Sequence, residues 1–386
     1  MPNAASSGLL LEPFSEEAVV RTARECLEKL GTNPSVALVF VSADYRPFLA
    51  DFLELIQLHA HAGLILGGST SSLIGVGQEA EGASGFSLLL LSLPATQLTA
   101  LSFTEEQSDD FTPTDWRELA GRGADSETWL VLANPFKTAA EPWLNTWSAA
   151  FPGVPTLGGL ATGGPRGDDV FLFHNQSEVE AGIALGFKGG VKIHTVVSQG
   201  CRPIGEPHAI TGGQENIVTS IGSISAYDRL NECIESLSPQ EKARAAGNLF
   251  VGLALNEYVD EFQTGDFLIR NLLGADPESG AIALAAYPRV GQTLQFQLRD
   301  RHSAHEDLET LLLSRKQEHV RPIASLLFAC GGRGEGLFGA PHHDAALLEE
   351  TFGPLPGSGL FCNGEIGPVG GRNFVHGYTA AIGLIE

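Results

Sequence analysis

The chain has 386 residues, enough for two or three domains, each with its own core. It is 43% hydrophobic and 18% charged, which excludes a disordered or fibrous protein. A formal charge of −23 repels phosphate backbones and anionic lipid, so neither nucleic acid nor a membrane surface is an expected partner.

Residues 1–34 read as an extension that carries one helix, over 15–30. Ser15 can cap it, Glu16 and Glu17 suit the positive end of its dipole, and Gly31 can end it. Val19, Ala23, Leu27 and Leu30 supply its buried stripe. Residues 35–41 form a continuous apolar run, the pattern of a strand buried on both faces. A helix over 46–61 follows, then a strand that runs into the turn Gly67, Gly68, Ser69, Thr70, Ser71, Ser72, then a strand over 86–93. The segment 104–114, with Glu105, Glu106, Asp109 and Asp110, reads as an acidic surface loop.

The same order then recurs. A strand over 129–133 leads to a helix over 141–151, a strand ending in Gly158 and Gly159, and a strand over 181–187. Between 191 and 321 the pattern changes to short alternating stretches, 193–197, 281–285 and 294–298, separated by turn signals, which predicts antiparallel sheet. Helices are expected over 221–237 and 303–317, the second capped by Ser303. A third copy closes the chain: a strand over 325–330, a glycine turn over 331–336, a helix from about 344, a strand over 359–362, and a last strand over 378–385. In this reading Asn363 and Gly364 stand where Gly67 and Gly68, and Gly158 and Gly159, stand. The fold class is therefore α/β, with repeated β-α-β units, glycine turns and an antiparallel region.

Five cysteines without CxxC spacing predict a reducing compartment and no disulfide framework or zinc finger. The first residues lack a basic segment and an apolar core, and no apolar run is long enough to span a bilayer, so a cytoplasmic location is expected.

Several motifs together carry a family resemblance. They are the turn from Gly67 to Ser72, the stretch from Gly200 to Gly205, the stretch from Asp266 to Arg270, Gly291, and Arg299 with Asp300. Cys330 to Gly334, Asn363 to Pro368, and His376 to Thr379 complete the set. In their order and spacing the chain resembles the FIST domain proteins. The resemblance implies two domains of the FIST N-terminal and C-terminal types, over 35–225 and 226–386. It implies a sensory role in signal transduction, with a small ligand, an amino acid or small anion, and a signalling protein as partners. Bacterial members are often joined to output domains and some eukaryotic ones carry an F-box; here the expectation is a short extension before the first FIST strand and no output domain.

Two charged residues inside the glycine turns need explaining. Glycines let successive amides point into one cavity and favour an anion. Arg333 offers a planar fork that matches a carboxylate, and Glu365 offers a counter-charge for an ammonium. The candidate ligand-binding set is Arg333, Glu365, Gly332, Gly334, Asn363, Cys330, His376 and Arg270. The plainer alternative for Arg333 is an internal salt bridge to Glu365 or Asp300, and for Asp344 a helix cap. A Cys330 nucleophile beside His342, His343 or His376 would instead make a hydrolase or transferase. A protein-recruiting scaffold is the third option. No cofactor or metal is expected, since neither His59 and His61 nor His342 and His343 have ligand spacing.

Overall fold

The computed structural model describes residues 2–164, 166–245, 247–259, 261–262 and 265–386, with 168 and 244 described by backbone alone. The chain divides into two compact units, Met1–Ser198 with Glu309–Glu386, and Gln199–Leu308.

The first unit opens on a strand that the sequence did not announce, β1 (Ala4–Leu10). Helix α1 (Glu16–Leu30) follows as expected and ends at Gly31, whose φ of 70° lets its N–H reach the Leu27 carbonyl. Ser15 occupies the N-cap, but its side chain makes no capping bond. Then come β2 (Val36–Ser42), α2 (Leu49–His59), β3 (Ile65–Thr70), the hairpin β4 (Ser72–Gly75) and β5 (Gln78–Glu81), and β6 (Phe86–Ser92). The second copy runs β7 (Gln97–Phe103), α3 (Glu105–Asp110), α4 (Pro113–Ala120), β8 (Thr128–Ala133), α5 (Ala140–Ala150) and β9 (Thr156–Leu160). It closes with the hairpin β10 (Leu172–His174) and β11 (Ser177–Val179), then β12 (Gly182–Lys188); β13 (Ile193–Ser198) follows. The expected acidic loop is thus mostly helical. Thr104 with Gln107, and Thr112 with Asp115, each close a capping box that satisfies the first amides of α3 and α4.

The second unit is the predicted antiparallel region. Its elements are β14 (Cys201–Gln214), β15 (Ile217–Ile221), β16 (Ile224–Ser225), α6 (Ala226–Ser236), α7 (Pro239–Ala245), β17 (Leu249–Ala254), β18 (Phe267–Asp276), β19 (Ala281–Leu284) and β20 (Thr293–Arg299). The order β14-β20-β17-β18-β19-β15 closes, because β15 pairs back onto β14. Closure leaves no bare edge among these strands. Helix α6 starts at Ala226, later than expected, where the Ser225 hydroxyl accepts the Asp228 amide at 3.0 Å. It sends Ala226, Leu230 and Cys233 into the barrel core. Helix α8 (Arg301–Gln317) leads out of this unit, and Asp300 rather than Ser303 caps it, through Oδ1 to the amides of His302 and Ser303, both at 3.0 Å.

The third copy is β21 (Ala324–Cys330), α9 (Gly334–Phe338), α10 (His343–Phe352), β22 (Gly357–Cys362), the hairpin β23 (Glu365–Val369) and β24 (Arg372–His376), and β25 (Ala380–Ile385). The three copies build three six-stranded sheets of one design: β1-β6-β2-β3-β10-β11, β7-β12-β8-β9-β23-β24, and β13-β25-β21-β22-β4-β5. In each, two parallel strands carry the glycine turn, and the outer one is covered by a hairpin from another copy. The exchange is cyclic: first copy to third, second to first, third to second. The inner faces share one core, in which Leu38, Leu130 and Leu326 hold corresponding places on β2, β8 and β21. No helix among the described residues is long and apolar enough to cross a membrane.

The register also corrects the alignment of the glycine turns. Gly67, Gly158 and Gly359 are the equivalent positions, facing Val39, Val131 and Leu327, so Asn363 and Gly364 lie further along the chain than their supposed counterparts. A Cβ at these three glycines would lie 1.7, 1.7 and 1.9 Å from the facing carbonyl oxygen. Gly359→Ala is therefore expected to cost about 3 kcal/mol or more, since backbone and not a soft side chain must move. Urea unfolding measures it, and a loss under about 1 kcal/mol would show that β21 and β22 separate easily.

Candidate functional site

The strand β21 delivers the chain to the turn at Gly331, and α9 and α10 follow within a few residues. Arg333 sits at the N-cap of α9, fully buried. Its Nε donates to Asp344 Oδ2 at 2.6 Å and its Nη2 to Asp344 Oδ1 at 2.9 Å. Asp344 lies in the first turn of α10, also buried, so this is a two-point ion pair away from water. Phe338 underlies the guanidinium at 5.3 Å, and His343 stacks on Phe338 while its Nδ1 lies 2.9 Å from Asp344 Oδ1. The partner of Arg333 is thus neither of the two acids the sequence offered, and Asp344 is more than a cap. The α10 cap position belongs to His342, at φ 65°, and the carboxylate that bonds the α10 amides comes from β5: Glu79 Oε1 accepts from Ala345 N at 2.9 Å.

Glu365 begins β23 and is wholly buried. Its Oε2 accepts from the Thr379 amide at 3.1 Å, while Oε1 has no hydrogen-bond partner among the described residues. Directly opposite it across the ladder is His376, whose Nε2 donates to the Gly367 carbonyl at 3.0 Å. The amides of the glycine turn are occupied from within. Gly331 N donates to Cys362 O, Gly332 N to Cys330 Sγ, Arg333 N to Cys330 O, and Glu335 N to Glu81 Oε1. Gly334 has φ 59°, and a Cβ there would lie 2.3 Å from the Glu81 carboxylate. Asn363 is exposed, with its amide on Leu160 O at 3.2 Å. Arg270 belongs to the Gln199–Leu308 unit, on β18, and its Nη1 donates to Ile269 O.

Burial dominates the electrostatics. It pushes Asp344 up, but the Arg333 charge, the two Arg333 hydrogen bonds and His343 outweigh it and hold Asp344 at about 2. Burial and the Asp344 charge push Glu79 up to about 7, against the α10 amides and Arg333. Burial drives Glu365 well above the usual carboxylate range, although the Thr379 amide and Arg333 pull the other way. The cluster therefore sets one guanidinium beside one acid that it holds ionised and two acids whose charge burial disfavours.

A FIST N domain model matches residues 35–223, and a FIST C domain model matches residues 226–368. The chain belongs to the FIST family. An uncharacterised protein of Mycobacterium tuberculosis is 33% identical over 383 residues, covering 98% of each chain. An uncharacterised protein of Mycobacterium bovis is 33% identical over 380 residues, covering 98% of this chain and 97% of its own. An F-box/LRR-repeat protein of Arabidopsis thaliana shares 32% over 84 residues, 20% of this chain and 16% of that one. Among solved structures, a cyanuric acid hydrolase covers 99% of both chains at 11% identity, with a TM-score of 0.33. FIST domains are associated with signalling and sensing.

The buried cluster draws on both FIST stretches. Glu79 comes from the FIST N stretch, and Arg333, Asp344 and Glu365 from the FIST C stretch; Glu81, exposed and also from the FIST N stretch, holds the Glu335 amide beside them. The sequence singled out Arg333 and Glu365 but missed the two glutamates. The run Gln78, Glu79, Ala80, Glu81 reads as a solvated strand, and nothing local marks it as the arm that reaches β22. The signal that could have found Asp344 is simple: an arginine set among glycines needs an acid, and Asp344 stands in the next helix.

Proposed function

We propose that this FIST protein is a cytoplasmic sensor of a small zwitterion, an amino acid in the simplest case. The FIST N stretch, read as 35–225, and the FIST C stretch, 226–386, act in it together. The observation that carries this reading is Glu365, a buried acid with one oxygen unbonded, in the cluster that also holds Arg333. A buried carboxyl oxygen without a partner is costly, and a ligand ammonium placed there would both bond the acid and favour its ionised form. The ligand carboxylate would exchange with Asp344 on the Arg333 fork, since the two groups have the same shape and charge. That exchange gives a sensor its stroke: releasing Asp344 unfastens the first turn of α10, and a signalling partner would read the change. Few side chains, placed on rigid strand ends, suffice for such a site.

A thermal-shift screen with amino acids, and with amines and carboxylates of matching shape, tests it. A ligand at one hundred times its Kd is expected to add about 2.7 kcal/mol of stability. Glu365→Gln should keep the fold and lose the response, and Asp344→Asn should strengthen binding by removing the competing carboxylate. Unchanged affinity in Glu365→Gln, or no response to any zwitterion, would remove this site from consideration.

A further inference from the structure

We infer that Cys330 and Cys362 form a reversible disulfide on exposure to hydroperoxide, making the ends of β21 and β22 a modification site. The two are Cα partners in the parallel ladder, each the last residue of its strand. Residues paired in a ladder point to one face. Parallel neighbours lie about 4.8 Å apart, inside the roughly 4.4–6.8 Å range that a disulfide spans between Cα atoms. Among the described residues no other two cysteines are ladder partners: Cys26 lies in α1, Cys233 in α6, and Cys201 on β14 faces Arg299.

The two thiols differ as an attacking and a resolving pair should. Cys330 is partly exposed, and its sulfur accepts the Gly332 amide at 3.4 Å, a contact that favours the thiolate. Cys362 is buried, and burial, Glu365 and Cys330 push its thiol up, so it stays protonated until it has a partner to attack. Gly159 leaves its sulfur room, since a Cβ there would lie 2.2 Å from Cys362 Sγ.

The chemistry balances. Cys330 thiolate attacks the peroxide, an S–O bond forms, the O–O bond breaks, and the departing hydroxide leaves as water with the proton that Cys330 gave up. Cys362 sulfur then attacks Cys330 sulfur, the S–S bond forms, the S–O bond breaks, and the second hydroxide leaves as water with the Cys362 proton. Two thiols are oxidised by two electrons and one peroxide is reduced; a dithiol reverses it. The bond would tie together the positions three residues before Arg333 and Glu365, whose turns are already joined by Gly331 N to Cys362 O at 3.2 Å.

The test treats the folded full chain with hydrogen peroxide, blocks remaining thiols by alkylation, and maps peptides without reductant. The expected product has lost two hydrogens, links the Cys330 and Cys362 peptides, and reverts with dithiothreitol. It should form at least ~10-fold faster than oxidation of the three buried thiols. Cys330→Ser should abolish the link, and Cys362→Ser should leave a Cys330 sulfenic acid that dimedone traps. A wild-type chain whose Cys330 takes dimedone or goes on to sulfinic acid without the link overturns the inference. So does a chain in which neither thiol reacts, or one that links different cysteines. Circular dichroism of each variant shows that the fold tested is the same.

Discussion

Asp344→Ala is expected to lower stability by about 3–5 kcal/mol, because it leaves the Arg333 guanidinium buried without its counter-charge. Both side chains are almost completely shielded, at 0% and 1% exposure, so water cannot replace the lost partner in place. Either the guanidinium stays and suffers desolvation, or α9 and α10 loosen to let it out. Urea unfolding measures the loss. The double variant Arg333→Met, Asp344→Leu should recover most of it, since it removes the ion pair as a pair and refills the volume. A loss below about 1 kcal/mol in the single variant would show that Arg333 finds another acid at little cost; Glu79 and Glu365 both already feel its charge.

The second large effect is on the pH dependence of stability. Glu79 titrates at about 7 in the folded chain against 4.5 in the unfolded one. Between those values the folded state holds a proton that the unfolded state has released. Stability is therefore lost as pH rises through this window, by an amount on the order of 3 kcal/mol. Glu365 acts in the same direction. Asp344 acts oppositely: at about 2 folded against 3.8 unfolded, its contribution is complete above 3.8 and disappears as pH falls toward 2. The cluster is most stabilising between these windows, near pH 4 to 4.5. Unfolding midpoints of wild type and Glu79→Gln, compared from about pH 4 to about pH 8, isolate the Glu79 share. Glutamine keeps the acceptor for Ala345 N but cannot ionise, so the two curves should diverge as pH rises, with the variant the more stable. Parallel curves would show that Glu79 titrates normally.

Apolar runs made most of the core legible. Stretches such as 36–41 and 88–91 hold nothing that could face water, and β2 and β6 are buried at every position. The N-terminal strand was not legible, because Ala4, Ala5, Ser6 and Ser7 are small and carry no strand signal. The helices at 105–120 could have been read, since Thr104 with Gln107 and Thr112 with Asp115 have capping-box spacing; their acidic composition suggested solvent instead. For the site, a charge among glycines pointed to Arg333 and Glu365, both of which the fold buries. What the Glu335 amide holds was beyond reach, because its partner, Glu81, arrives on an arm from a distant part of the chain. A two-stranded arm carries no mark of the edge that will receive it.

That arm has a consequence for how such a protein can be divided. Each copy gives away a hairpin and receives one, so none is complete by itself. A polypeptide cut down to one copy would expose one strand edge and dangle one ribbon, a state prone to self-association. Three identical pieces of that kind could satisfy one another in a closed ring, each ribbon lying on its neighbour's edge. Fusing the three into a single polypeptide keeps the ring shut at any dilution, and allows each segment to change independently. That freedom permits one corner to gather Arg333 with Glu79, Asp344 and Glu365.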